Sequence, residues 1–442
     1  MSKQNDAKAH PGRVDLVRGQ ETGLLIPAHR DALQAGGAAF LTRAFQAFGS
    51  LPATNSVRRI IRCERVAGGS TGDKLFLSVE YQHPQPGLHR DLFVKFSRDF
   101  QDPIRDNRGK YEMESEVRLA AISRLPAFPI KVPHAYFADY HPESKTGLLI
   151  TEQIGFGADG IEPHRAKCLD HELADPLKYY RAIIKALARI AAAHRSGRLS
   201  PEVEKRFPYD AAAAAAETPV PYDERQLQDL VKQYAEFAAR CPRLLPPSLG
   251  TPEFIAKFDR EAVQFLRHQA TIKRFLQSNC ELIALCHWNA QIDNAWFWHD
   301  SAGELQCGLM DWGHVGQMNV AFALWGSLSG GQQSMWDGHL GELLTAFTEE
   351  LQRHGGPRIG VPELTLHLQL YIAMMGLSYF VASPSRILAG VPEAATASGP
   401  LDPIFLRNDR ARNNLHILSV FLSLWLNHDF GAVLERLLQR AS

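Results

Sequence analysis

Two apolar runs, Leu282-Ile283-Ala284-Leu285-Cys286 and Ala295-Trp296-Phe297-Trp298, enclose the polar stretch His287-Trp288-Asn289-Ala290-Gln291-Ile292-Asp293-Asn294. Runs this short suit buried strands and are too brief for helices, so the chain must arrive on one strand, expose a loop and return on another. The turn residues His299-Asp300-Ser301-Ala302-Gly303 close a hairpin. A third run, from Leu305 to Met310, then delivers Asp311 in the sequence Gly308-Leu309-Met310-Asp311-Trp312. A lone His or Asp beside apolar strands is usually a satisfied polar group or a cap. Both segments together, in this order and spacing, narrow what the chain can be.

In kinase-type phosphoryl transfer, a loop His-x-Asp-x-x-x-x-Asn supplies a base and a metal ligand, and an Asp ending the next hairpin holds Mg²⁺ between the phosphates. Here Asn289 stands at the base position, two after His287 and five before Asn294, and Asp311 follows 17 residues past Asn294. With Asn319-Val320-Ala321 behind them, the segments resemble the aminoglycoside phosphotransferase and choline kinase-like superfamily, whose loop commonly reads His-Gly-Asp-x-His-x-x-Asn before an Asp-Trp. Trp288 replaces a usual Gly, Asn289 the Asp, Gln291 the second His, and Asn319 an Asp. The resemblance implies an α+β, bilobal protein-kinase-like fold, with a small antiparallel-sheet N-lobe and a larger, mostly helical C-lobe. ATP and Mg²⁺ are the implied cofactors, and a small molecule with a hydroxyl group the implied acceptor. The departures bear on catalysis more than on fold.

Under that division residues 1–56 form an N-terminal tail and capping helix, 57–156 the nucleotide-binding lobe and 157–442 the helical lobe with the catalytic loop and acceptor site. Residues 1 to about 22 are polar and read as a loose tail. Ala28 to Phe48 repeats Leu33, Phe40, Leu41, Ala44 and Phe45 near helical spacing. It reads as a capping helix; a membrane-surface helix is the other reading, disfavoured by few basic residues. Strand candidates 57–66 and 74–81 flank Ala67-Gly68-Gly69-Ser70-Thr71-Gly72-Asp73. Most such turns only join strands, but glycines also let backbone N–H groups approach a polyphosphate, so Gly69, Ser70, Thr71 and Gly72 are cofactor-binding candidates.

The next strand, Leu92-Phe93-Val94-Lys95-Phe96, buries a lysine among apolar residues, and that lysine needs a phosphate or a carboxylate. Lys95 is therefore the expected phosphate clamp. A helix over 110–125, with Met113, Val117, Ala120 and Ala121 as its apolar stripe and Pro126 as its stop, offers Glu116 to orient it. Glu112 and Glu114 are rivals. Strands at 131–138 and 147–154 complete a five-stranded antiparallel sheet, and Gly155, Gly157 and Gly160 mark a hinge. The resemblance places adenine on the main chain of Glu152 to Ile154.

Helical periodicity dominates afterwards: 176–195, where His194 reads as a helix-end residue, then a six-alanine run at 211–216, and 224–239, 252–276, 336–354, 362–381 and 410–426 as the last helix. The stretch 382–403, rich in Pro, Gly and Ser, reads as a linker, or as a lid over the acceptor pocket. Lys plus Arg equals Asp plus Glu at 48 each, so no global basic field recruits nucleic acid or an anionic membrane. The first residues lack a signal-peptide core and no apolar run reaches membrane-spanning length, which points to the cytoplasm and to no stable membrane insertion. Six cysteines without Cys-x-x-Cys spacing suit reduced thiols.

Asn294 and Asp311 are the expected metal ligands. In the catalytic set, His287 takes a structural role and Asn289 the acceptor end, where its amide oxygen can accept a hydroxyl hydrogen bond but cannot take the proton at neutral pH. Asp293 is either a substitute base or a carboxylate bonded within the loop. A loose transition state relies on positioning and charge neutralisation, and a general base adds only about 10²–10⁴-fold. Two functions follow: an ATP-dependent phosphotransferase acting on a hydroxyl, or a nucleotide-binding pseudokinase with a regulatory or scaffolding role.

Overall fold

The computed structural model describes residues 14–66, 72–102, 105, 110–217 and 220–441. The chain forms two compact units, Met1–Gly155 with Met310–Val315, and Phe156–Leu309 with Gly316–Ser442. The first is built on a five-stranded antiparallel sheet of β3 (Val57–Arg65), β4 (Lys74–Tyr81), β5 (Asp91–Phe96), β6 (Ala135–His141) and β7 (Thr146–Glu152), in the order β3-β4-β5-β7-β6. Side chains alternate across a strand. Leu75, Leu77 and Val79 of β4 and Leu92, Val94 and Phe96 of β5 therefore share one face, buried with Leu33, Phe40, Leu41 and Phe45 of helix α1 (Arg30–Phe48). Lys95 falls on the opposite face. Helix α2 (Lys110–Ser123) covers that side, where Met113, Val117 and Ala120 pack with Ala135, Ala138 and Tyr140.

The expectation of a loose tail through residue 22 is overturned for residues 14–22; residues 1–13 lie outside the described residues. Strands β1 (Leu16–Arg18) and β2 (Leu25–Pro27) form a hairpin ahead of α1. Asp139 of β6 is fully buried and draws its donors from the hairpin turn: the N–H groups of Glu21 (2.8 Å) and Thr22 (3.0 Å) and the Thr22 hydroxyl. A β-carbon at Gly19 would overlap the Asp139 carboxylate, so the turn closes over it only with glycine. A buried carboxylate needs such bonds, but its partners lie over a hundred residues away and leave no local pattern.

The sheet edges shift as well. Strand β6 begins at Ala135 rather than 131, after Pro133, which lacks a ladder N–H. β7 ends at Glu152, so Ile154 lies beyond the sheet.

In the second unit, helix α3 (Pro176–Arg195) buries Tyr180, Ile183, Ile184, Leu187 and Ile190. It packs against β8 (Ile283–His287), β10 (Leu305–Leu309) and helix Gln333–Arg353. Strand β9 (Ala295–His299) pairs with β10, and β8 pairs with β11 (Val315–Asn319). His194, in the last turn of α3, accepts the Leu285 N–H at 3.2 Å and so ties β8 to the helix.

Several helical boundaries differ from expectation. The segment 252–276 breaks at His268 into Pro252–Arg267 and Gln269–Ser278. The stretch 382–403 holds a helix, Ser383–Gly390, because Pro384 sits in its first turn, where proline starts helices rather than stopping them. A further helix, Phe430–Ala441, follows the one expected to be last.

Asn319 caps helix Val320–Leu328. Its Oδ1 accepts the Ala321 N–H at 2.9 Å, and its Nδ2 donates to Leu276 O at 2.7 Å. An ionised aspartate would make the first bond but not the second, so the departure at 319 is a structural adaptation. Among the described residues no single helix is long and apolar enough to cross a membrane.

Candidate active site

In the first unit the residues of interest form a buried charge cluster. The Lys95 ammonium lies 2.7 Å from Glu116 Oε1 and 2.6 Å from Asp311 Oδ1. Of the rival carboxylates, Glu114 turns to Arg118, and the Glu112 side chain lies outside the described residues. Lys95 and Glu116 are sealed, with side-chain exposures of 4% and 3%, whereas Asp311 keeps 34% of its side chain open. The Asp311 backbone is left-handed, φ 61°, which costs a non-glycine residue about 1 kcal/mol and marks a residue held in place by its surroundings.

Two carboxylates share one ammonium, and the electrostatics divide them. Burial disfavours the charged Lys95, but Glu116 and Asp311 outweigh it and hold the ammonium above its ordinary range. Burial pushes the Glu116 carboxyl up to about 7, reinforced by Asp311 and opposed by Lys95. Burial also raises Asp311, yet Lys95 and Lys74 together pull it well below the usual carboxylate range. Asp311 is thus the fixed anion. Glu116, whose Oε2 has no partner among the described residues, is the softer one.

Of the glycine-turn candidates, Gly69, Ser70 and Thr71 lie outside the described residues. Gly72 has φ +57°, and a β-carbon there would overlap the Phe96 carbonyl next to Lys95. Only glycine lets this turn close on β5. In the stretch assigned to adenine, the Glu152 N–H donates to His134 O (2.8 Å) and the Gln153 N–H to Asp91 O (3.0 Å). The Glu152 carboxylate accepts the His134 N–H and pairs with His89 at 2.8 Å. Ile154, just past the strand, is half-buried.

The second unit holds the loop between β8 and β9, pinned by amides rather than charges. Fully buried His287 accepts the Asn289 N–H on Nδ1 at 3.2 Å. The Asn289 carbonyl takes the Gln291 N–H at 2.8 Å and Asn294 Nδ2 at 2.9 Å. Gln291 Nε2 reaches Asn289 Oδ1 at 3.4 Å and Ser329 Oγ at 3.2 Å. Trp288, where glycine is usual, donates its indole N–H to Tyr371 at 2.7 Å, and its carbonyl presses so closely on Gly326 that no β-carbon fits there.

Asp293 has a cationic neighbour. Lys167 Nζ stands 3.5 Å from its Oδ2, and His164 Nε2 lies 2.9 Å from its carbonyl. Lys167 and His164 were not found in the sequence, because the polar stretch around them carries no periodicity and no motif. All six cysteines are free thiols. Among the described residues no three His, Cys, Asp or Glu side chains are grouped to hold a metal. Magnesium does not need such a cage: it takes hard oxygens, commonly one or two carboxylates completed by substrate phosphates and water. The Asp311 carboxylate and the Asn294 amide oxygen are donors of that kind.

No protein-family model matches the chain, and no curated protein matches it. The solved structures similar to it include three small-molecule kinases. A choline kinase from Cryptosporidium parvum Iowa II is 11% identical, covering 84% of this chain and 91% of that one at a TM-score of 0.41. An ethanolamine kinase from Plasmodium vivax is 13% identical, covering 84% and 83% at 0.42. A microcompartment-associated aminopropanol kinase is 14% identical, covering 88% and 98% at 0.42. These likenesses are distant, and function is read from the residues themselves.

Proposed function

We propose that the protein is an ATP-dependent phosphotransferase acting on a hydroxyl of a small molecule. The observation that carries this reading is the Lys95–Glu116–Asp311 cluster, a buried ammonium held between one sealed and one accessible carboxylate. A buried ion pair is weak evidence for stability, since desolvation offsets much of its attraction. A second carboxylate left partly open beside it suits a site that meets a polyphosphate and its cation.

Mg²⁺·ATP, when bound, supplies the phosphoryl donor and the counter-charge. Lys95 meets the phosphate oxygens while Glu116 fixes its direction. Asp311, already ionised, offers its open oxygen to the cation. Asn294, in the second unit, spends its Nδ2 on the Asn289 carbonyl and keeps Oδ1 as an oxygen donor. Asn289 orients the acceptor hydroxyl through Oδ1 and leaves its proton in place until bonding to phosphorus is advanced, as a loose transition state permits.

The test is ATP consumption against a panel of alcohols, amino alcohols and sugars. An acceptor-dependent rate lost in Asp311→Ala supports the reading. The second reading, a nucleotide-binding regulatory protein, is favoured by the amides at Asn289 and Gln291. It replaces the first if Mg²⁺·ATP stabilises the protein while no acceptor supports turnover.

A further inference from the structure

Asp293 is the carboxylate of the loop in the second unit, and the obvious role for it is the missing base. Its surroundings favour a different one. The Lys167 ammonium lies 3.5 Å from its Oδ2, so the carboxylate already has a cationic neighbour. Asp293 Oδ1 is buried without a partner among the described residues, and so is Gln291 Oε1.

Three features bring the stretch holding Lys167 onto this loop. His164 reaches the Asp293 carbonyl at 2.9 Å, and its ring meets Phe156 edge-on at 4.9 Å. Arg412 donates to the Lys167 carbonyl at 3.4 Å. Cys168 is buried with a left-handed φ of 59°. Lys167 itself packs by buried Gly330: from the point where a β-carbon would stand, its Cγ is 3.5 Å away and Gln291 Oε1 3.0 Å away. Gln291 in turn touches Asn289. A lysine with only 19% of its side chain exposed, held beside Asp293 and Gln291, is a built feature rather than a surface charge.

We propose that Lys167 supplies positive charge to the transferring phosphoryl group and that Asp293 is its positioning residue, not a base. This rests on the phosphotransferase reading. As the acceptor oxygen bonds to phosphorus and the bond to the ADP oxygen breaks, negative charge spreads over the phosphoryl oxygens. The hydroxyl proton passes to one of these oxygens and on to water. A fixed ammonium lowers the barrier by neutralising that charge and needs no base at position 289.

The test uses ADP, Mg²⁺ and aluminium fluoride, which mimic the transferring group without an acceptor. In the wild type, aluminium fluoride should raise the melting temperature beyond the shift given by ADP and Mg²⁺. Lys167→Met should lose that excess while keeping the ADP shift, Lys167→Arg should retain part of it, and Asp293→Asn should lose it with no further loss in the double variant. Where an acceptor is known, Lys167→Met should lower kcat by about 10²-fold with KM for ATP unchanged. An excess that survives Lys167→Met, or an ADP shift with no fluoride excess in the wild type, overturns the proposal. Failure of the wild type to respond to ADP and Mg²⁺ at all removes the phosphotransferase reading, and this one with it.

Discussion

The two functional clusters solve opposite problems. In the first unit, Lys95, Glu116 and Asp311 bring three ionisable groups together, two sealed and one partly open, where every charge depends on the other two. In the second, the loop from His287 to Asn294 is held by an imidazole, three amides and main-chain groups, and its one carboxylate is tied to a lysine. Under the phosphotransferase reading, the chain keeps its charges where a polyphosphate would be neutralised and carries an amide where a base would stand. Phosphoryl transfer tolerates this asymmetry because charge neutralisation, not proton removal, carries most of the rate.

The strongest way to break the comparison is to restore a charge to the loop. Asn289→Asp should raise acceptor-dependent turnover by up to about 10²–10⁴-fold if the amide merely occupies a base position. Steady-state rates with any working acceptor measure this; no gain means that transfer at this site does not draw on a base at position 289.

The next test removes the cation of the first cluster. Lys95→Met leaves Glu116 and Asp311 as neighbouring carboxylates without their ammonium, and breaking a buried pair typically costs about 3–5 kcal/mol. Denaturant unfolding should show a loss on that scale, largely recovered in the Lys95→Met, Glu116→Gln double variant because the repulsion is gone.

A subtler effect follows from Glu116. Its folded-state carboxyl is raised to about 7, so between that value and the ordinary carboxylate range, roughly 4.3, the native state binds a proton that the unfolded chain does not. Stability from this group therefore rises as pH falls through that window and is lost as pH climbs past 7. Urea midpoints across pH 5–8 should slope accordingly in the wild type, and Glu116→Gln should flatten the slope. An unchanged slope would place the titration elsewhere. The smallest expected effect is at Asn319, where replacing the cap with alanine should cost about 1 kcal/mol, read as a drop in melting temperature without a change in nucleotide response.

The parts of this molecule carried by short-range patterns were visible in the sequence. The apolar run of β5 marked Lys95 as a buried cation in need of a partner, the stripe of α2 put Glu116 at its edge, and three short apolar runs delivered the loop and Asp311 at strand ends. Structure set by distant partners was not visible. Asp139 orders the β1–β2 hairpin through bonds to Glu21 and Thr22, which look like tail residues when read in isolation. Lys167 reaches Asp293 from 126 positions away, out of a stretch with neither periodicity nor glycine punctuation to mark it. Proline misled at 384, where it begins a helix instead of ending one.

The central claim, that the charged cluster exists to receive a nucleotide and its cation, is tested most directly by melting curves of wild type and Asp311→Ala, with and without Mg²⁺·ATP. At a ligand concentration about 100-fold above Kd, binding should stabilise the wild type by about 2.7 kcal/mol. Asp311→Ala, lacking the open carboxylate, should lose most of that gain. A wild-type curve that Mg²⁺·ATP leaves unmoved, or an Asp311→Ala protein that gains as much as the wild type, would contradict the account.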